Sequence, residues 1–202
     1  MKPTLRAAAA VAALALAVPA LAAEPQSTHP RVGLGLSFNP SLLAELSTTT
    51  GVFAPSPKLY VPIYLTPEIR LEPEIGWLSV TNDTDSTNNH AFDLGIGALY
   101  VKPVSQAASI YGGIRLASVW LQNETRISPT VVQRTNQRNT ILTFAFGTEY
   151  QPAIWFSVGV EAQLGFVFLG DEEINTAGTV TTGSGGSATT LQGLFFLRAY
   201  FL

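Results

Sequence analysis

Charged and apolar residues alternate one by one between residues 69 and 77. Three charges occupy every second position, and the residues between them are apolar: Arg70, Glu72 and Glu74 alternate with Ile69, Leu71, Pro73, Ile75 and Trp77. Because successive side chains of a β-strand point to opposite faces, the segment predicts a strand with one charged face and one apolar face. Such a strand fits a soluble sandwich that buries the apolar face, or a transmembrane β-barrel that turns it to lipid. Pro73 cannot donate to a strand ladder, so a bulge or local break is expected there.

The N-terminal residues have the pattern of a secretory signal peptide. Lys2 and Arg6 form a positive region, residues 7–18 form an apolar run, and Ala20-Leu21-Ala22 is a small-x-small cleavage site. The alternative, an uncleaved anchor helix, is disfavoured because the run is Ala-rich and shorter than the roughly 20 residues of a membrane span. We therefore expect residues 1–22 to be removed on export, which leaves residues 23–202 as a single domain.

The remaining chain is too apolar for a typical exported soluble domain. Hydrophobic residues make up 47% of the sequence and charged residues only 12%, whereas about a quarter of a typical sequence is charged. No stretch after residue 22 contains 18 consecutive apolar residues, so the sequence predicts no transmembrane helix. A closed β-barrel is the other structure that satisfies its own backbone hydrogen bonds within a bilayer.

Charge and cysteine content exclude several classes of partner and cofactor. The formal net charge is −3, and it becomes −5 without the leader because Lys2 and Arg6 are the only charged residues removed. That balance argues against nucleic acid as a partner. The chain has no cysteine, which excludes disulfides and thiolate metal sites, and we expect no metal or other cofactor.

Eight segments have the alternation of membrane-spanning strands, and the connections between them alternate in length. Short Pro-containing turns lie at residues 66–67, 103–106 and 151–153, whereas the other connections are long and polar: 40–57, 81–89, 123–137 and 170–190. This rhythm is typical of outer-membrane barrels with brief periplasmic turns and longer outer loops. The sequence therefore predicts an all-β, eight-stranded antiparallel transmembrane β-barrel of up-and-down topology. Its strands are expected at residues 31–38, 58–65, 68–80, 90–102, 109–121, 138–150, 156–168 and 191–202.

When the alternation is continued along the chain, charges from six strands fall on the face that lines the lumen. They are Arg70, Glu72, Glu74, Asp93, Arg115, Glu149, Glu161 and Arg198. Two interpretations are open: a selectivity ring or ion path, and a packed network of salt bridges that fills the interior. We favour the filled interior, because an eight-stranded barrel is just wide enough for its own side chains and unpaired charges there are costly. Arg115 and Arg198 are the expected partners of Glu72 and Glu74.

Aromatic residues concentrate near the predicted strand ends, where transmembrane barrels carry girdles of Trp and Tyr at both membrane surfaces. The alternative is ordinary β-propensity, but all three Trp residues lie near strand ends, which favours girdles. The candidate interface residues are Trp77, Tyr100, Trp120, Tyr150, Trp155, Phe168 and Phe201, and Phe38, Tyr60, Tyr64 and Tyr200 occupy similar positions.

The chain resembles the small outer-membrane β-barrel superfamily, which includes the OmpA transmembrane domain and opacity-type surface proteins. The resemblance covers the chain after the leader and rests on the leader, the strand PEIRLEPEIGW, the Gly-alternating strand LGIGALY and the C-terminal strand GLFFLRAYFL. It implies a cell outer-membrane location, lumenal acid–Arg pairs and recognition of the last strand by the barrel-assembly machinery. Members commonly end on an aromatic residue, whereas Phe201 is penultimate here. We expect a monomer whose partners are the bilayer and the outer-membrane lipids.

Three classes of function are compatible with such a barrel. We favour a structural or surface-exposed role without catalysis; a narrow pore or carrier for small or apolar solutes is the alternative, and an outer-membrane enzyme is the third. His90 with Asp93 and Ser86 would suit acyl chemistry, but residues three apart on one strand point to opposite faces. His29 is expected in a solvated tail, and the acidic run at 171–173 has no defined metal-ligand spacing. The competing fold is a soluble lipocalin-like barrel with an apolar interior.

Overall fold

Strands and short turns account for all of the chain that the computed structural model describes, which is residues 32–39, 57–82 and 87–201. The predicted leader, His29, Ser86 and almost all of the predicted loop at 40–57 lie outside these residues. None of the described residues forms a helix that is long and apolar enough to cross a membrane. The strands are β1 (Val32–Phe38), β2 (Lys58–Tyr60), β3 (Ile63–Tyr64), β4 (Ile69–Asn82), β5 (Thr87–Pro103), β6 (Ala108–Ser128), β7 (Val131–Ala153), β8 (Phe156–Leu169), β9 (Glu172–Thr176), β10 (Thr179–Gly183) and β11 (Gly186–Phe201).

Eight barrel strands close into a ring, because each one pairs antiparallel with a neighbour on both sides. β2 and β3 together form one barrel strand, and the others are β1, β4, β5, β6, β7, β8 and β11. The ring closes where β11 returns to β1, with Val32 opposite Phe201 and Phe38 opposite Phe195. The predicted eight-stranded antiparallel barrel is therefore confirmed.

The two faces of the barrel are reversed relative to those of a soluble protein. In β8, the outward residues Leu164, Phe166 and Phe168 are 40%, 38% and 53% exposed, whereas the inward residues Glu161 and Gln163 are buried. The same alternation holds along β4, where the charged positions are buried and the apolar positions are exposed. An apolar exterior around a polar interior is the arrangement of a barrel in lipid, and it contradicts the competing lipocalin-like fold.

At one end of the barrel the strands extend much further than the sequence predicted. β6 and β7 contain 21 and 23 residues, whereas about ten residues of tilted strand cross a bilayer. Their hairpin turns at residues 129–130, with Ser128 opposite Val131. The polar loop predicted at 123–137 is therefore wrong, because polar residues there pair with each other across a hairpin. The loop predicted at 81–89 is also too long, since β4 continues to Asn82 and β5 begins at Thr87.

The predicted loop at 170–190 is likewise wrong, because it contains a second hairpin. β9 and β10 pair with each other, and β9 also pairs with the part of β7 nearest the β6–β7 hairpin turn. The chain bends where β8 gives way to β9: Gly170 N donates to Asn139 Oδ1 at 3.2 Å, and Gln137 Nε2 donates to Gly170 O at 3.1 Å. A Cβ at Gly170 would lie 2.1 Å from the carbonyl oxygen of Arg138, so this close approach requires glycine.

Short turns join the barrel strands at the opposite end, as the sequence predicted, but residues 151–153 belong to β7 and the third turn comes after them. The turns lie at residues 65–68, 104–107 and 154–155. Leu65 N donates to Ile69 O at 2.9 Å in the first turn, and Val104 N donates to Ala108 O at 2.9 Å in the second. The barrel therefore has one end of tight turns and one end of projecting hairpins.

Pro73 lies in an uninterrupted β4, so the bulge expected there is wrong for this strand. Its pairing with Ile96 on β5 shows no register shift. The interruption lies in the facing strand, at residues 61–62 between β2 and β3. Val61 N donates to Pro73 O at 2.9 Å and Gly33 N donates to Pro62 O at 3.0 Å, but neither proline can donate in return. The missing donors divide one barrel strand into two short ones without changing its register.

Candidate functional site in the barrel interior

Four charged side chains from three strands form an ion-paired layer across the lumen. Arg70 and Glu72 come from β4, Glu149 from β7 and Arg198 from β11. Arg70 Nη1 donates to Glu149 Oε2 at 2.6 Å, and Arg198 Nη2 donates to Glu72 Oε1 at 2.8 Å. Arg198 Nη1 also donates to Glu149, and Arg70 Nε lies 2.8 Å from Glu72 Oε1. Each carboxylate therefore contacts both guanidinium groups, and all four side chains are buried.

Arg115 on β6 links this layer to two further carboxylates. Its Nη2 atom donates to Glu72 Oε2 at 2.6 Å and to Glu161 Oε2 at 2.8 Å. Its Nε donates to Glu161 Oε1 at 2.9 Å, and its Nη1 donates to Glu74 Oε2 at 3.1 Å. One guanidinium thus joins β4, β6 and β8. Multiple charge-assisted hydrogen bonds of this kind offset the cost of removing the charges from water.

Lys58 on β2 is a fourth lumenal base, which was not among the lumenal residues predicted from the sequence. Its Nζ lies 3.0 Å from Glu74 Oε1 and 2.5 Å from Asp93 Oδ2. The segment KLYVPIYL does contain the alternating pattern. Lys58 and Tyr60 lie at even-numbered positions on the lumenal face, whereas the exposed Leu59 and Leu65 lie at odd-numbered positions on the outward face. With Lys58 included, five acids and four bases face the lumen in the described part of the chain, which leaves one formal negative charge.

Aromatic side chains pack around the ion pairs inside the barrel. Tyr111 Oη donates to Glu161 Oε2 at 2.8 Å, and Tyr200 Oη donates to Glu149 Oε1 at 2.6 Å. Arg70 Nη1 donates to Tyr64 Oη at 2.9 Å, and the guanidinium carbon of Arg198 lies 5.1 Å from the ring centroid of Tyr60. The expectation that Tyr60, Tyr64 and Tyr200 belong to the membrane interface is therefore wrong, because their rings face the lumen. Tyr60 shares the inward parity of Lys58, and Tyr200 shares that of Arg198.

Glycines opposite the large side chains provide the room for this packing. A Cβ at Gly35 would lie 2.2 Å from the Tyr60 ring, and a Cβ at Gly147 would lie 2.3 Å from the Tyr111 ring. Beside Lys58, Glu74 and Arg115 a cavity of about 20 Å³ remains, which is room for about one water molecule. The glycines thus let the aromatic rings pack close to the barrel wall beside the ion-paired layer.

The seven aromatic residues predicted for the membrane interface lie in two bands on the barrel. Toward the hairpin end they are Trp77, Trp120 and Phe168, and toward the short-turn end they are Tyr100, Trp155, Phe201 and the half-buried Tyr150. The other six are exposed on the outward face or at a turn. Two bands are what girdles at two membrane surfaces require, and contact of these residues with the interface stays a prediction.

His90 lies on the outside of the barrel, away from the acid that the sequence suggested for it. Asp93 is buried in the lumen, whereas the ring nitrogen Nδ1 of His90 lies 3.0 Å from Ser79 Oγ on β4. Among the described residues, no carboxylate accepts a hydrogen bond from the other ring nitrogen. No group of three or more His, Asp and Glu side chains in that part of the chain is placed to hold a metal ion. Asp171, in the acidic run, accepts a hydrogen bond from Gly185 N at 3.1 Å.

A closed eight-stranded ring with an apolar exterior and an ion-paired interior defines a transmembrane β-barrel of the outer-membrane class. The chain belongs to the outer membrane protein beta-barrel domain family, whose model matches residues 8–185. Its location is therefore the cell outer membrane, as the sequence predicted. The predicted resemblance to small outer-membrane barrels is likewise confirmed.

Two solved structures are similar to this chain over most of its length. Ail, the attachment invasion locus protein of Yersinia pestis, is 8% identical, covers 88% of this chain and 99% of its own, and has a TM-score of 0.45. CarO2 of Acinetobacter baumannii is 13% identical, covers 87% of this chain and 100% of its own, and has a TM-score of 0.38. No curated protein sequence gives a significant match.

Proposed function

We propose that this protein is a non-conducting, non-catalytic outer-membrane barrel that presents its long hairpins at the cell surface. The proposal rests on the ion-paired packing inside the lumen. Arg70, Arg115 and Arg198 each bind carboxylates from other strands, and the aromatic rings pack between them. An ion that crosses this layer would have to separate several buried ion pairs at once, which is very costly.

The hairpin end supplies the second part of the proposal. β6 and β7 continue about ten residues beyond what a bilayer requires, and β9 and β10 widen the sheet that they form. Outer-membrane barrels have short periplasmic turns and long outer connections. By that rule the hairpins face the outside of the cell, where they form the surface available to other molecules.

Planar-bilayer recording tests the filled lumen. We expect no stable single-channel steps from the wild-type protein. Replacing Arg115 and Glu161 together by Ser removes both members of a central pair and should produce steps. Stable wild-type steps whose size changes in Glu161→Gln would overturn the proposal in favour of a narrow pore.

Catalysis at the Ser79–His90 pair has a direct test. We expect His90→Ala and Ser79→Ala to leave the lipid composition of the host membrane unchanged when each is compared with the wild type in a strain that lacks the gene. A lipid species that depends on both residues, but not on the neighbouring Gln122, would show that the barrel is an enzyme.

Assembly and partners follow from the same proposal. We infer that residues 1–22 are removed on export, that the assembly machinery recognises the C-terminal strand, and that the folded protein is a monomer in lipid. Membrane fractionation, N-terminal sequencing and a gel with and without boiling test these points together. An unboiled band that runs at the boiled position, or a mature chain that starts at Met1, would contradict them.

A further inference from the structure

A groove of about 730 Å³ lies on the outside of the barrel at its hairpin end. Its floor is a row of outward aromatic residues on three neighbouring strands, because Trp77 is in register with Phe92 and Phe92 with Trp120. The rings of Phe92 and Trp120 are 5.6 Å apart between centroids. Below this row the barrel exterior is apolar; Leu94, for example, is 55% exposed. The groove therefore lies where the apolar surface of the barrel ends.

The rim of the groove carries charges of both signs without ion-pair partners. The guanidinium carbon of Arg138 lies 5.1 Å from the ring centroid of Trp120, on the outward face of β7. Glu173 on β9 is opposite Asn136. Both side chains are exposed, and neither forms an ion pair with any residue that the structure describes. By contrast, Arg134 on the same face of β7 is paired with Glu124, with 2.5 Å between Nη2 and Oε1.

Hydrogen-bonding groups on β4, β5, β6 and β7 complete the lining of the groove. His90 and Ser79 are joined at 3.0 Å and line the groove together with Gln122 and Asn136. Asp171 adds a second carboxylate on the side of Glu173. The groove thus combines an aromatic floor, one cation stacked on that floor, and carboxylates on the adjacent strand.

We propose that this groove binds the headgroup of a phospholipid that carries both a phosphate and an ammonium group. The phosphate accepts hydrogen bonds from Arg138, whose guanidinium is suited to phosphate oxygens. The ammonium lies against Glu173 and Asp171, which line the groove next to β7. The acyl chains continue down the apolar exterior of the barrel. The aromatic row then lies beside the headgroup of one specifically bound lipid, as well as at the membrane surface.

Charge complementarity selects this lipid over others. A phosphate without an ammonium would face two carboxylates with one guanidinium, and an uncharged headgroup would leave Arg138 and Glu173 without partners. The proposal depends on the membrane location of the barrel and is independent of whether the lumen conducts. A conductance measurement therefore neither supports nor contradicts the proposed lipid binding.

Native mass spectrometry of the full-length protein, delipidated in detergent, tests the proposal. The lipids are dioleoylphosphatidylethanolamine, dioleoylphosphatidylglycerol and dioleoylglycerol, and free glycerophosphoethanolamine serves as a competitor. We expect the ethanolamine lipid to bind best and the free headgroup to compete weakly, because it lacks the acyl chains. Arg138→Gln should weaken binding of the ethanolamine lipid by about tenfold, the effect of losing one charge-assisted hydrogen bond.

Two further variants make the outcome decisive. Glu173→Gln should remove the preference for ethanolamine over glycerol while the barrel still shifts on boiling. Arg134→Gln is the matched control, since this arginine lies on the same strand face but is already paired with Glu124. This variant should bind the ethanolamine lipid as tightly as the wild type does. Equal losses in Arg138→Gln and Arg134→Gln, or equal wild-type binding of all three lipids, would overturn the proposal.

Discussion

At the residue scale, Arg115 contacts more of the lumenal carboxylates than any other base in the described chain. It binds Glu72, Glu74 and Glu161. Arg115→Met would leave Glu161 without a base and weaken the pairing of the other two. We expect it to lower the free energy of unfolding by roughly 3–5 kcal/mol, the range for breaking a buried ion pair. Reversible urea unfolding in lipid vesicles measures this change.

The exposed pair of Arg134 and Glu124 supplies the control for that experiment. The Arg134 side chain is 55% exposed, and exposed ion pairs contribute little to stability. Arg134→Gln should therefore lower the unfolding free energy much less than Arg115→Met does. Similar losses in Arg115→Met and Arg134→Gln would contradict the central role assigned to the lumenal network.

The Glu124 carboxylate also has a pH response of its own. The hydrogen bond from Arg134, together with the charge of that guanidinium, lowers the pKa of Glu124 below its ordinary value. A lowered folded-state pKa means that the contribution to stability is present above the ordinary glutamate pKa and is lost as the pH falls through the folded-state pKa. NMR titration of the Glu124 carboxyl should show a higher pKa in Arg134→Gln than in the wild type. An unchanged pKa would rule out the interaction.

The alternation of side chains along each strand was sufficient to assign most lumenal residues from the sequence, but not to identify their ion-pair partners. Arg115 and Arg198 were expected to meet Glu72 and Glu74, and the structure brings Arg115 to both and Arg198 to Glu72. Lys58, Tyr60 and Tyr64 were missed because their strand is short and interrupted by proline. Tyrosine also suits both a membrane interface and a polar interior, so residue type alone did not distinguish the two sides.

At the element scale, the β6–β7 hairpin consists of a membrane part and a projecting part. Asn123 is opposite Thr135, so an Asn-Gly type I′ turn in place of residues 124–134 would reclose the hairpin there. We expect this shortened protein to fold and to keep its shift on boiling, because the lumenal network is untouched. Loss of the shift would show that the projecting strands are needed for the barrel to form.

The same replacement made deeper in the hairpin should have the opposite effect. Ala117 is opposite Ile141, and an Asn-Gly turn in place of residues 118–140 would remove the outward residues that cross the half of the membrane nearer the hairpins. We expect this variant to fail in assembly and to run at the boiled position in both gel lanes. The two designs together locate the boundary between the two parts of the hairpin.

The projecting strands could not be predicted from their composition. Residues 123–137 are mostly polar, so neither face has the apolar alternation that identifies a membrane strand. They remain extended because they pair with each other across the hairpin, and because β5 also pairs with β6 as far as Thr125 and β9 with β7 as far as Gln133. The neighbouring strands therefore determine the conformation where the local sequence favours a turn or loop.

At the scale of the whole molecule, the pairing around the ring is uneven. β8 and β11 share a register from Phe156 to Leu169, whereas β1 is paired over seven residues with β11 and over only four residues with β2 and β3. We expect the amides of β1 to exchange with solvent deuterium before those of β8 in lipid-embedded protein. Exchange that is slowest in β1 would contradict this order.

The position of that weakly paired strand has a consequence for how the molecule is made. The partners across the closing pair, residues 32 and 201, come from the two ends of the described chain, and bringing such distant segments together is entropically the most expensive contact in the ring. The barrel can therefore close only after its last strand has been synthesised and delivered. A chain truncated before β11 would leave β1 and β8 with unpaired edges in the bilayer, where every free backbone group is costly. Stable insertion therefore requires every strand of the ring. A chain that lacks its last strand is left with two unpaired strand edges, which distinguish it from the closed barrel.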